Sequence, residues 1–200
     1  NTLAEWIGPI VYHYLNDLES NVMLFHVGAE NWELNSDGKL KYVHFDGLKA
    51  VDFDRVIQVA DLFLTYNIVS ISLTKAVLYG VPSLVLNNQK VIEFGKLEKA
   101  LKKRPIWYQT MANQVKKVYP FAASLFGWSN FLKMCLTDNA YLDSFDIANV
   151  FNYKATTEQF NKILYNSAYR ANMQDRMERF AERYHKIASP EDVLNNILLK

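Results

Sequence analysis

The sequence predicts an α/β fold built as an open parallel sheet with helices on both faces. Two observations carry this. A strand–loop–helix–strand unit lies between Asp61 and Asn87, and the patterns leading into it run α, β, β, α. A helix-rich C-terminal part, with one apolar stripe on otherwise polar residues, completes the picture.

In the first segment, Leu3 to Leu18, Ile10, Val11, Tyr14, Leu15 and Leu18 recur at helical spacing. Pro9 places the helix start near Gly8, because proline is tolerated in a first turn. Val22 to Gly28 reads as a strand ending in glycine. A polar loop with Asn35, Ser36, Asp37 and Gly38 separates it from a short strand, Tyr42 to Phe45. Asp52 suits the N-cap of a helix carrying Val56, Ile57 and Ala60.

The central unit follows. Leu62, Phe63 and Leu64, with Thr65 and Tyr66 behind them, have the length and composition of a buried strand. Asn67, Ser70 and Ser72 form a small polar loop. Leu73, Ala76 and Val77 then share a helix face, and Gly80 and Pro82 are stop signals. Leu84, Val85 and Leu86 make a second strand ending at Asn87 and Asn88. Two strands joined through a helix should be parallel, with a right-handed crossover.

Beyond Asn88 a mostly helical insertion over residues 91–150 is expected. It has a helix from Glu93 to Leu101, helical stretches broken at Pro120 and Gly127, a loop from Asn139 to Asp146, and a last short strand at Val150 and Phe151. Thr156 and Gln159 have capping-box spacing for a helix through Leu164. Met173, Met177, Phe180, Tyr184 and Ile187 recur at spacings of four and three, an apolar stripe best read as packing. Ser189, Pro190, Glu191 and Asp192 cap a final helix.

The 200 residues suffice for one compact domain, and 50% of them are apolar, a globular composition. Net charge is +1, from 22 basic and 21 acidic residues, which argues against a nucleic-acid binder. A lone cysteine, Cys135, excludes an internal disulfide and fits a reducing, cytoplasmic compartment. No apolar run approaches the roughly 18 residues of a transmembrane segment. The chain lacks an initiator methionine and reads as a fragment of a longer protein.

The strongest candidate site is the Asn67-to-Lys75 turn. A strand's carboxyl end meets a helix N-terminus there, and open N–H groups favour an anion. Ser70, Ser72 and Thr74 can add hydroxyl donors, and Lys75 a positive charge one turn in. Simple helix capping by Ser70 or Ser72 accounts for the same residues. There is no G-x-G-x-x-G and no G-x-x-x-x-G-K-[ST], which excludes the usual dinucleotide and P-loop sites. Among four histidines, His26 and His44 fall on strands near the carboxyl edge, where either could bond a ligand or be partly buried. No metal-ligand spacing and no G-x-S-x-G elbow occurs. The basic run from Lys96 to Arg104 is compatible with a peripheral membrane contact and equally with a solvated helix face.

The segments VMLFHVGAE (22–30), YVHFDG (42–47), ADLFLTYN (60–67) and SLTKAVLYGVPSLVL (72–86), with the helical tail from Thr156 to Leu199, resemble the C-terminal, donor-binding half of GT-B glycosyltransferases. That resemblance implies a Rossmann-like three-layer α/β/α domain binding a nucleoside diphosphate sugar as substrate, with no separate cofactor. It implies hexosyltransferase-type chemistry at an interface with an N-terminal half of the same chain. Gly28 would line the cleft, and the backbone near Phe45 would face the base. Asn67, Ser70, Ser72 and the helix start with Thr74 and Lys75 would hold the diphosphate, and Asn88 and Gln89 would lie near the sugar. Two positions depart from the family pattern. Asn67 to Ser72 replaces a glycine-rich loop, and Lys75 stands where the family has a glutamate. They motivate an alternative, a GT-B-shaped interaction or scaffold domain that transfers no sugar.

Overall fold

The structure, a computed structural model, describes residues 4–36, 38–87, 101–118, 137–150, 152–189, 191–192 and 194–195. Helix α1 (Ala4–Asn16) leads into the parallel strands β1 (Val22–Val27) and β2 (Leu40–Phe45). Then come α2 (Ala50–Gln58), β3 (Phe63–Thr65), α3 (Ile71–Leu78) and β4 (Ser83–Asn87). The described remainder contains α4 (Ile106–Val118), α5 (Ala140–Asp143), β5 (Asp146–Asn149), α6 (Tyr153–Tyr165) and α7 (Ser167–Tyr184).

Among the described residues every strand pair is parallel, as expected, but the strands are not all joined in one sheet. Among the described residues the strands make a two-stranded sheet, β1–β2, and a three-stranded sheet in the order β3–β4–β5. Burial separates them. Central β4 is buried at Leu84, Val85 and Leu86, as suits a strand covered on both faces, whereas β1 alternates half-buried and exposed residues, with Met23 and Phe25 open.

Helix α1 begins before the expected start, and Pro9 lies inside it. Ile7, Ile10, Val11, Tyr14 and Leu15 are all buried, so the apolar face holds the helix together across the proline. Gly8 is needed where it stands, since a Cβ there would lie 2.5 Å from Trp32 Cγ. Helix α2 is preceded by Lys49 at the N-cap, and Asp52 falls in its first turn beside Arg55. Helix α3 buries Leu73, Ala76 and Val77 and ends as expected at Gly80, whose φ is +71°. Gly80 N–H donates to Val77 O and Val81 N–H to Ala76 O, the paired bonds of a Schellman motif.

Three expectations in the second half are corrected. Asn139 to Asp146 is not a plain loop: Asn139 Oδ1 accepts from Tyr141 N–H and caps the short helix α5. The last strand is Asp146–Asn149, ending one residue before Val150. Helix α6 is capped by Asn152, not Thr156. Thr156 is fully buried and donates to Asn149 O at 2.7 Å, while Gln159 donates to Asp146, so the two side chains are drawn to the end and the start of β5. The residues from Arg170 to Tyr184 form one helix, α7. Met173 and Met177 are fully buried, but Tyr184 and Ile187 are exposed. Ser189 and Asp192 bond each other's backbone N–H reciprocally, the expected cap of a final helix.

One apolar cluster runs from Ile7 and Tyr14 of α1 through Leu84 and Val85 to Phe160, Ile163, Met173 and Met177. Tyr14 Oη donates to Val150 O at 2.9 Å inside it, tying the first helix to the end of β5. Asp146 is a buried polar hub at the start of β5. It pairs with Arg176 Nη2 at 2.9 Å and accepts from Tyr169 Oη at 2.9 Å, which fastens α7 to the sheet. The expected helix from Glu93 to Leu101, the breaks at Pro120 and Gly127, Cys135 and Phe151 lie outside the described residues, apart from Leu101, which is buried.

Candidate functional site

Two groups of polar residues stand at the carboxyl ends of the strands, where open parallel sheets present their ligand sites. The first is the turn from β3 to α3. Thr65 Oγ1 accepts from Asn67 N–H at 3.1 Å, and Asn67 Oδ1 accepts from Val69 N–H at 3.1 Å, so an Asx turn shapes the loop. Ile68 O accepts from Tyr141 Oη at 3.1 Å, which pins the turn to α5. Ser70 is the N-cap residue in extended conformation, and its hydroxyl makes no capping bond. Helix α3 therefore begins with its N–H donors uncapped by that side chain. Ser72 is half-buried within the first turn.

Thr74 and Lys75 face other protein groups. Thr74 Oγ1 lies 3.3 Å from both Ser70 O and Tyr141 Oη, and burial raises the Tyr141 phenol above its ordinary range. Lys75 Nζ donates to Asp54 Oδ1 at 2.6 Å, an ion pair joining α3 to α2. The hydrogen bond from Lys75 to Asp54 raises the lysine's pKa above its ordinary value and keeps it charged.

The second group stands at the ends of β1 and β2. Gly28 N–H donates to Phe45 O at 3.0 Å, extending the ladder by one bond, and Phe25 and Phe45 stack with ring centroids 6.2 Å apart. His26 and His44 are direct register partners, with ring centroids 5.2 Å apart. His44 Nε2 meets Gly28 O at 2.7 Å. His26 Nδ1 meets Tyr42 Oη at 2.9 Å, and its ring stacks on Trp32 at 3.7 Å. Burial, with a smaller contribution from His44, lowers the His26 pKa below the ordinary imidazole value.

The structure thus joins Gly28 with Phe45, and Ser70 with Thr74, each pair at the end of a different sheet. Asn88 and Gln89 lie outside the described residues, as do Lys96 and Lys99 of the basic run. Of that run, Lys102 and Lys103 are exposed, and Arg104 lies over the Tyr153 ring at 5.5 Å. Sequence reasoning passed over Tyr42, Trp32, Tyr141 and Asp54. Tyr42 and His44 share a strand face by the period of two, but only the β1–β2 register brings them beside His26. Among the described residues no group of three or more His, Cys, Asp or Glu could hold a metal ion, and no helix is long and apolar enough to cross a membrane.

The chain belongs to a protein family of unknown function, DUF6365, whose model matches residues 1–200. No curated protein and no solved structure matches it.

Proposed function

We propose that this member of the family binds a nucleoside diphosphate sugar at the carboxyl edge of its parallel strands, as the donor-binding half of a GT-B-type, hexosyltransferase-like glycosyltransferase. The observation that carries the reading is the β3–α3–β4 unit. Its parallel strands leave a shaped turn, an N-cap Ser70 whose hydroxyl makes no capping bond, and the start of α3 at the sheet's carboxyl edge. Backbone N–H groups and the helix dipole suit a diphosphate there. Gly28 and Phe45 end the neighbouring strand pair at the same kind of edge, where a base and ribose would lie. Asn67, Ser70 and Ser72 are the side chains assigned to the phosphates. Lys75 is assigned to the α2–α3 clamp instead, because Asp54 already engages its ammonium. Transfer itself needs an acceptor half, and no catalytic base is named within these residues.

The reading is tested by calorimetric titration and thermal shift of the longest natural chain with UDP-glucose, UDP and other nucleoside diphosphate sugars. A ligand at one hundred times its Kd should stabilise the fold by about 2.7 kcal/mol. Absence of heat and of any shift across the panel overturns it.

A second reading is a domain of the same shape that transfers nothing and serves as a scaffold. The Lys75–Asp54 pair favours it, because a lysine stands where GT-B glycosyltransferases usually carry a glutamate, often a ribose or sugar contact, and is turned to internal structure. A protein partner bound by the full-length protein, with no nucleotide binding, would select it.

A further inference from the structure

The hydrogen bonds around Tyr42 fix more than the shape of the β1–β2 edge. Asn31 Oδ1 accepts from Glu33 N–H at 2.9 Å, which settles its carbonyl end, and it lies 3.2 Å from Tyr42 Oη. A carbonyl oxygen only accepts, so the single Tyr42 hydroxyl proton points to Asn31. The Tyr42 oxygen is then an acceptor for its other neighbours, Trp32 N–H at 3.1 Å and His26 Nδ1 at 2.9 Å. With the Tyr42 proton on Asn31, His26 carries its own on Nδ1. In a neutral imidazole this leaves Nε2 as a bare lone pair.

That nitrogen lies beside Gly28. A Cβ built on Gly28 would lie 3.3 Å from His26 Nε2, so a side chain at this position would crowd it. His44 is committed the other way. Its Nε2 meets the Gly28 carbonyl at 2.7 Å and must donate, while its Nδ1 faces the exposed Asp46 carboxylate at 3.6 Å. Burial and the His44 neighbour both disfavour protonation of His26, so the ring is neutral at neutral pH. A neutral nitrogen lone pair bonds to a hydroxyl or an N–H, and not to an unprotonated phosphate oxygen.

We propose that His26 is a ligand-binding residue whose Nε2 accepts a hydrogen bond from a hydroxyl of the bound sugar nucleotide, with the tautomer set by the Asn31–Tyr42 relay. The hydroxyl belongs to the ribose or to the transferred sugar, and the phosphates stay at the β3–α3 turn. The ligand half of this assignment rests on the nucleotide-sugar reading; the tautomer half does not.

The experiment is long-range proton–nitrogen NMR of the full chain labelled with nitrogen-15 histidine. His26 should show the Nδ1–H form, and Asn31→Ala, an exposed change outside the core, should raise its Nε2–H share by freeing the Tyr42 proton. Wild-type His26 in the Nε2–H form, or an Asn31→Ala spectrum with no change, overturns the relay. Diethyl pyrocarbonate should acylate His26 at Nε2, and an unreactive ring overturns the open site. UDP-glucose should then move the Nε2 resonance, UDP should move it as well only where the hydroxyl is the ribose's, and pyrophosphate should leave it in place. UDP-glucose binding that leaves Nε2 unmoved, or a shift caused by pyrophosphate, overturns the hydroxyl contact. If no nucleotide binds, the sugar-nucleotide ligand falls with the function proposed above, and the tautomer and acylation results still decide the proton-accepting site.

Discussion

Lys75 Nζ and Asp54 Oδ1 meet at 2.6 Å, so the residue that departs from the resemblance to glycosyltransferases is a clamp from α3 to α2. Lys75→Met should lower the melting temperature and leave nucleotide affinity unchanged. The Asp54→Asn, Lys75→Met double variant should be no less stable than the sum of the single changes requires. The lysine's pKa is raised on folding, so its stabilisation is present through neutral pH and is lost as pH climbs above the ordinary lysine range. Chemical denaturation across that alkaline range checks the sign.

Buried phenols give a second alkaline effect. Burial pushes the Tyr108 phenol up to about 12 and raises Tyr14 well above its ordinary value. The folded state holds these protons longer than the unfolded chain, so stability falls once pH passes the ordinary tyrosine value of about 10. Absorbance at the phenolate band should show late, cooperative ionisation coincident with unfolding. Tyr14→Phe should also cost about 1–2 kcal/mol, because Val150 O loses its buried donor.

At Asp146 the expected loss is larger. Asp146→Ala strands the Arg176 guanidinium, whose side chain is 19% exposed, beside an empty acceptor. About 3–5 kcal/mol of destabilisation is expected, read by urea denaturation. Asp146→Asn, which keeps an acceptor oxygen, should cost less.

Packing at α1 is equally specific. Gly8→Ala puts a methyl 2.5 Å from the Trp32 ring, and displacement of Trp32 should cost roughly 1–3 kcal/mol. Indole fluorescence should shift with it. Met177→Ala, at a fully buried position, should cost about 2–5 kcal/mol through the cavity it leaves.

Much of the fold was legible because its signals are local. The β3–α3–β4 unit shows in a strand-length apolar run, a buried stripe at Leu73, Ala76 and Val77, and a glycine stop that takes positive φ. The C-terminal stripe was legible at Met173 and Met177 for the same reason. What failed depends on distant partners. Thr156 and Gln159 have capping-box spacing, yet Asn149 O and the Asp146 carboxylate hold them instead. Pro9 marked a helix start that tertiary burial overrode. The candidate site divides likewise: the Asn67–Ser70 turn could be read from its residue types. Asp54 beside Lys75 and Tyr42 beside His26 depend on packing and register that no local pattern carries.

On the proposed function, a sugar nucleotide lies across the carboxyl ends of both strand groups. Backbone amide chemical-shift mapping of the longest natural chain with UDP-glucose decides this. Saturable shifts are expected at Ile71, Ser72 and Leu73 of α3 together with Gly28. Saturating ligand that leaves either set of amides unmoved rules it out.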